Sequence, residues 1–257
     1  MMTKKELSDL LEPLHLGGWQ YHPVVDSTND IALAWGRAGG PDWGLVVADQ
    51  QLKGRGRNNR TWVTKSGVSL AFSLVLRPTL QEQGMLTRFT ALGALSLIRS
   101  LSLLGLKAEI KWPNDVLLKG KKVAGVLAET EWEEDRLQTM AVGMGVNIGP
   151  HALPPADVLR YPAVSVEEVL GLSINRWELL VSVIQMMMTL RKSLPYPEFL
   201  NIWNTHLAFR GQEVPIHFPD NVLREMRVLG VKADGQLELQ NEMGEKVALA
   251  AGEIIPF

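Results

Sequence analysis

Ten consecutive residues, Lys53-Gly54-Arg55-Gly56-Arg57-Asn58-Asn59-Arg60-Thr61-Trp62, combine four cations with two glycines and close on an aromatic. Glycine has no Cβ, so backbone N–H groups can turn toward an anion at close range. Each arginine adds a planar, five-donor fork matched to phosphate or carboxylate. A small polyanionic ligand is what such a loop is built to take. The same residues also fit a solvated basic surface loop, or an Arg-Gly segment that tracks RNA. Like charges and little apolar surface predict that the loop lacks order until a ligand arrives.

A second group stands at Lys111-Trp112-Pro113-Asn114-Asp115. A lone lysine is more often a solvated strand charge, but beside a proline irregularity Lys111 joins Arg55, Arg57, Arg60 and Asn114 as a set of cations and amides. No nucleophile or base accompanies them. That set fits electrostatic stabilisation of charge growing on phosphate and carboxylate oxygens rather than covalent catalysis. Adenylation of a carboxylate needs that much: two anions pressed together and a leaving pyrophosphate neutralised. A third group, Ser27-Thr28-Asn29-Asp30, has capping-box spacing at Ser27 and Asp30. It reads either as a plain helix start or as hydroxyls and an amide offered to a polar ligand at a helix N-terminus.

Other chemistries lack their parts. The chain has no Walker G-x-x-x-x-G-K-[ST], no G-x-G-x-x-G at a strand-to-helix junction and no G-x-S-x-G elbow. Histidines at 15, 22, 151, 206 and 217 are scattered without ligand spacing, so no dedicated metal site is expected. The absence of cysteine removes disulfides, thiolate metal sites and a cysteine nucleophile together.

Positioning these groups requires a sheet. Trp19 to Val25, Leu45 to Asp49 and Val68 to Leu76 read as strands, the second delivering Gln50 and Gln51 to the basic loop. Ala108 to Leu118 reads as one apolar strand broken by Pro113, which marks an edge or a bulge. Val123 to Glu129 and Thr139 to Ile148 follow as partners. Gly125, Gly143, Gly145 and Gly149 thin their side chains, so a ligand is expected to lie across one face of the sheet. Helices are expected over residues 3–11, after Ser27, over Thr87 to Leu104, near Val166 to Leu170, from Asn175 to about Leu194, and from Pro197 to His206. From Gly211 short alternating strands take over, with an Asp234-Gly235 turn, as in a small β-barrel module. The expected division is 1–210 and 211–257.

With 46% hydrophobic and 21% charged residues in 257, the chain is an ordinary globular protein. A formal charge of -2 supplies no global field for nucleic acid, which lowers the RNA reading. No stretch reaches the roughly 18 apolar residues of a membrane span, and a cytoplasmic protein is the simplest fit to a cysteine-free sequence. About 25 residues precede the first motif, too few for a helix-turn-helix domain.

Taken in order, Asp26-Ser27-Thr28-Asn29, Gly54 through Trp62, Lys111 through Asp115, Ala124-Gly125-Val126-Leu127-Ala128-Glu129 and Gly143-Met144-Gly145-Val146-Asn147-Ile148-Gly149 resemble the successive motifs of the biotin-protein ligases, over roughly residues 20 to 257. The resemblance implies a mixed sheet flanked by helices, of the class II synthetase type, with an SH3-like C-terminal β-barrel. It implies that biotin and ATP, with Mg2+, give biotinyl-5'-adenylate, whose biotinyl group passes to a lysine of a biotin carboxyl carrier protein such as an acetyl-CoA carboxylase subunit. By the same resemblance Ser27, Thr28, Asn29 and Gln51 would line the biotin site. Arg55, Gly56 and Arg57 would lie over the carboxylate and phosphate, Arg60 would serve the phosphates and Trp62 would pack near adenine. Lys111 would stabilise charge on the carboxylate and α-phosphate, with Asn114 beside it. Gly125 would let the backbone reach the ureido ring, Asn147 would face the nucleotide, and Asp115 would orient Lys111 or the acceptor lysine.

The sequence departs from the pattern in three places. Asn59 stands where the family usually has glycine and is expected to take the left-handed turn. Lys53 replaces a commonly small residue, and Ala71 replaces a frequent aromatic, which is expected to widen the pocket. The resemblance implies ligase activity without operator binding, and a homodimer through a sheet edge. Two alternatives stay open. A lipoate-type ligase shares the adenylate chemistry, though its double-arginine, triple-glycine signature is missing here; the other is a non-catalytic biotinyl-adenylate or RNA-binding module.

Overall fold

The structure is a computed structural model and describes residues 3–155, 159 and 161–255. Met1 and Met2, the middle of the proline-rich connection and the last two residues of the C-terminal module lie outside the described residues. Thr3 opens α1 (Lys4–Leu11) with a closed capping box, its hydroxyl taking Glu6 N–H while Glu6 returns to Thr3 N–H. There follow β1 (Gly18–Val25), α2 (Thr28–Arg37), β2 (Gly44–Gln51), β3 (Ser69–Leu76), the single turn α3 (Leu80–Gln83) and α4 (Thr87–Leu103). The sheet continues through β4 (Ala108–Lys111), β5 (Asp115–Leu118), β6 (Lys121–Glu133) and β7 (Arg136–Asn147). Then come α5 (Val166–Leu170), α6 (Arg176–Arg191) and α7 (Pro197–Thr205). The chain closes with β8 (Glu213–His217), β9 (Leu223–Val231), β10 (Leu237–Gln240), β11 (Lys246–Leu249) and β12 (Glu253–Ile254).

Seven strands form one sheet in the order β1-β2-β3-β7-β6-β5-β4, mixed because β1 and β2 run parallel and the other pairs antiparallel. Side chains alternate between its faces. On one face Leu45, Val47, Phe72, Leu74, Val142 and Val146 join the main core with α4 and α6. On the other face α2 covers only part, where Ala32 and Leu33 meet Val46, Val75 and Ala141. The register explains what the uncovered part is made of. Ala48, Ala71, Gly145, Gly125, Asp115 and Lys111 lie side by side across five neighbouring pairings. A shelf of small residues therefore ends in a carboxylate and an ammonium.

Residues 108–118 are not one interrupted strand. Trp112-Pro113-Asn114 turns the chain through a hairpin that sets Lys111 directly opposite Asp115. Proline cannot donate to a ladder, and a hairpin turn asks for no donor there. The five C-terminal strands make a separate antiparallel sheet, β11-β10-β9-β8-β12, matching the expected small β module. Its β9–β10 turn, with Gly235 at φ 85°, docks on the larger unit: Trp112 Nε1 donates to Gly235 O at 3.0 Å and Thr87 Oγ1 to Asp234 O at 3.0 Å. Arg88 Nη2 reaches Ala233 O at 3.0 Å. The docked turn holds Trp112, and with it Lys111, in place.

Candidate functional site

A cavity opens over the shelf of small residues, roofed by the basic loop. The loop has a defined course, against the expectation that it would lack order. Gly56 N donates to Arg60 O at 2.7 Å, Trp62 N to Gly54 O at 2.8 Å, and Arg55 bridges Thr61. The left-handed residue is Asn58 (φ 55°, ψ 39°), where the turn was expected at Asn59. Like charges do not scatter the loop because carboxylates from three other segments and from Asp26 neutralise it. Lys53 pairs with Asp26 at 2.7 Å, Arg55 with Asp30 and Glu129, and Arg60 with Glu253.

The α2 end of the cavity is polar and closely packed. Ser27, Thr28 and Asn29 are all buried. Ser27 forms no side-chain cap bond, so the capping-box reading fails, and Asp30 turns to Arg55 instead. Gln51 Oε1 accepts from Thr28 N at 2.8 Å and lies 3.1 Å from Thr28 Oγ1. Ser73 Oγ lies 2.7 Å from Thr28 Oγ1 and 2.6 Å from Asn29 Oδ1, while Asn29 Nδ2 donates to Glu129 Oε2 at 2.6 Å.

The glycines divide by role. A Cβ on Gly143 would stand 2.2 Å from Asn29 Oδ1, and one on Gly145 would stand 2.1 Å from Trp62 Nε1. A Cβ on Gly125 would meet nothing closer than 3.5 Å. Close approach by protein atoms is thus required at Gly143 and Gly145, and Gly125 is spared for space above the strand. Gly143→Ala is expected to displace the clamped Asn29 and to lower stability by about 1–3 kcal/mol, the usual cost of overpacking. Gly125→Ala should keep the parental melting temperature. A parental melting temperature in Gly143→Ala would refute the packing argument.

The chemistry gathers at the other end. Lys111, 2% exposed, has Nζ 3.4 Å from Glu253 Oε1, 3.7 Å from Asp115 Oδ2 and 4.5 Å from the centre of the Tyr161 ring. The nearer partner of Asp115 is Lys122, at 2.6 Å, whose ammonium also stands over Trp62. Asn114 Nδ2 donates to Val126 O at 3.0 Å and pins the hairpin to β6. Arg60 makes two bonds to Glu253, at 2.7 and 2.5 Å. Burial alone would push the Glu253 carboxyl up, but the Arg60 hydrogen bonds and the Lys111 charge overcome it and hold it at about 2.

Arg57 is different from its neighbours. Among the described residues no carboxylate pairs with it, and burial lowers its pKa against the weaker pull of Asp115 and Glu253. Arg55, by contrast, is held by Asp30, whose hydrogen bonds raise its pKa. Of the two arginines expected over the ligand, only Arg57 has its charge uncommitted. Asn147 is not on the wall of this cavity. It lines an adjoining hollow with Leu159 and Tyr161, which shares Arg60, Trp62 and Asp115 with the first, and its amide donates to Val164 O at 3.3 Å.

Sequence reasoning missed Glu253, Lys122 and Tyr161. Glu253 sits on a two-residue strand with no periodicity to notice. Lys122 falls on the wrong face if β6 is counted back from Gly125 by alternation; a register shift where β5 pairs β6 re-aims it into the site.

A cavity lined by Arg55, Arg57, Arg60, Lys111 and Lys122 over a mixed sheet is of the class suited to holding anions. Residues 21–147 match the Biotin/lipoate A/B protein ligase family. Over 174 residues the chain is 39% identical to a biotin–[acetyl-CoA-carboxylase] ligase of Paracoccus denitrificans, covering 60% of this chain and 70% of that one. It is 37% identical over 158 residues to the bifunctional ligase/repressor BirA of Bacillus subtilis, 61% of this chain against 48% of that protein, and so matches about half the length of that relative. The solved biotin protein ligase of Aquifex aeolicus in complex with biotin and ATP superposes with a TM-score of 0.77 at 25% identity, covering 92% of this chain and 97% of that one. The chain belongs to the biotin protein ligase family.

Proposed function

We propose that the protein joins biotin to ATP as biotinyl-5'-adenylate, releasing pyrophosphate, and transfers the biotinyl group to a lysine of a biotin carboxyl carrier domain. The observation that carries this reading is the placement of Arg57 and buried Lys111 on one cavity over a glycine shelf. A biotin carboxylate oxygen attacks the α-phosphorus and the bond to the pyrophosphate oxygen breaks. Lys111 and Arg57 hold the charge that builds between the two anions. The acceptor amine then attacks the carbonyl carbon, AMP leaves, and the amine proton goes to solvent or to Asp115. Ser27, Thr28, Asn29 and Gln51 line the end where the ring system lies, Gly125 leaves room for it, and Gly56 gives the loop backbone close approach to the carboxylate. Arg60, Trp62 and Asn147 face the nucleotide.

Among the described residues no three carboxylates or imidazoles converge as a metal site. Asp115 and Glu253 are already paired with cations, so Mg2+ is assigned to the phosphates and arrives with ATP. In this reading residues 1–210 are the catalytic domain and residues 211–257 the module that lends it Glu253. A cytoplasmic location, a homodimer through a sheet edge and the absence of operator binding belong to the same reading. Among the described residues no helix is long and apolar enough to cross a membrane.

Exchange of labelled pyrophosphate into ATP tests this directly, with biotin, lipoate and octanoate compared and no carrier present. Exchange is expected with biotin alone. Exchange with lipoate instead would move the protein to the other branch of the family, and none with any acid would remove the adenylation step.

A further inference from the structure

Ser73 belongs to none of the motifs above, yet it is fully buried in the middle of β3 and touches two residues of the cavity wall. Its Oγ lies 2.6 Å from Asn29 Oδ1 and 2.7 Å from Thr28 Oγ1. A serine hydroxyl has one proton, so it donates to only one of them. The neighbours of Asn29 decide which. Asn29 Nδ2 lies 2.6 Å from Glu129 Oε2 and 3.3 Å from Leu127 O. A carbonyl only accepts, and so does a carboxylate whose oxygen also faces the Arg55 guanidinium. The Asn29 amide therefore turns its nitrogen to β6 and its oxygen to Ser73, and that oxygen takes the Ser73 proton.

The consequence runs on to Thr28. With its proton given to Asn29, Ser73 offers Thr28 only a lone pair, so the 2.7 Å contact is made by the Thr28 proton. The other neighbour of that hydroxyl, Gln51 Oε1 at 3.1 Å, is also an acceptor. It takes Thr28 N–H at 2.8 Å, while Gln51 Nε2 donates to Thr64 Oγ1 at 3.2 Å. On either side the Thr28 proton is turned into the protein. What Thr28 presents to the cavity is a lone pair.

We propose that Ser73 is a positioning residue that fixes the direction of this hydrogen-bond chain, and so makes the α2 end of the cavity select an acid whose ring carries an N–H donor. The proposal rests on the ligase reading above and deepens it. The cyclic urea of biotin carries N–H groups, whereas the dithiolane of lipoate has none. A site built to pair with a ligand N–H rejects an analogue without one, because its own polar group is left unpaired. Ser73 touches no ligand in this scheme; it acts through Thr28.

Calorimetric binding to the full chain, without ATP, compares biotin with a size-matched cyclic carbonate that has ring oxygens in place of the ureido nitrogens. The parent is expected to prefer biotin by about 100-fold or more. In Ser73→Ala the Thr28 proton loses its nearer acceptor and is free to turn to the ligand, so that preference should fall about five- to ten-fold. Ser73→Cys, with a weaker donor in a similar volume, should fall between the two. A residue that only packs would weaken both acids alike and leave the ratio unchanged. A parental ratio in Ser73→Ala, or in Ser73→Cys if the alanine variant does not fold, overturns the proposal. A parent that binds biotin without preferring it to the carbonate also overturns it, whereas a parent that binds neither acid sinks the ligase reading itself.

Discussion

The Lys111→Ala variant is expected to exchange pyrophosphate roughly 100- to 1000-fold more slowly than the parent, because a preorganised charge in a dry site stabilises the transition state by about 3–4 kcal/mol. Lys111 is the most buried cation of the site and faces the cavity from the last residue of β4. Its removal should spare the fold. Asp115 keeps Lys122 at 2.6 Å and Glu253 keeps its two bonds from Arg60, so neither carboxylate is left alone. A parental melting temperature with crippled exchange is the expected combination. Near-normal exchange in a folded variant would take Lys111 out of the proposed adenylation step.

The second large effect concerns acid. Glu253 holds a proton with a pKa of about 2 in the folded protein, against an ordinary value near 4.5. Its folded value is depressed, so the stability it contributes is complete above about pH 4.5 and disappears as pH falls toward 2. The shift corresponds to on the order of 2–3 kcal/mol for this largely covered carboxylate. Glu253→Gln should therefore be less stable than the parent by that amount at neutral pH, and the two denaturation midpoints should converge as pH is lowered from 5 to 2.5. Parallel curves over that range would show that the Arg60 and Lys111 contacts do not hold β12 in place.

Much of this protein is legible along the chain. The basic loop, the Lys111 to Asp115 segment and the glycine-marked strands are contiguous, and each carries its own chemistry. The long elements also declare themselves, since β3 is buried at every position and α4 repeats its apolar residues at helical spacing. Pro113 announces a break, but a break in a strand and a hairpin between two strands look alike in sequence. Only the pairing of Lys111 with Asp115 decides between them.

What the sequence determined by itself is the inventory: a loop of arginines and glycines, a lysine beside a proline, and strands thinned by glycine so that other atoms can approach one face. Local composition sets these because glycine, proline and arginine act through backbone geometry and fixed charge within a few residues. The tertiary structure decided how the charges are shared. Arg55 belongs to Asp30 and Glu129, Arg60 to a glutamate 193 residues away, and Arg57 to no described carboxylate. Such pairings depend on register, on one strand irregularity and on the docking of the C-terminal sheet, which are properties of the assembled chain and leave no mark on any single stretch of it.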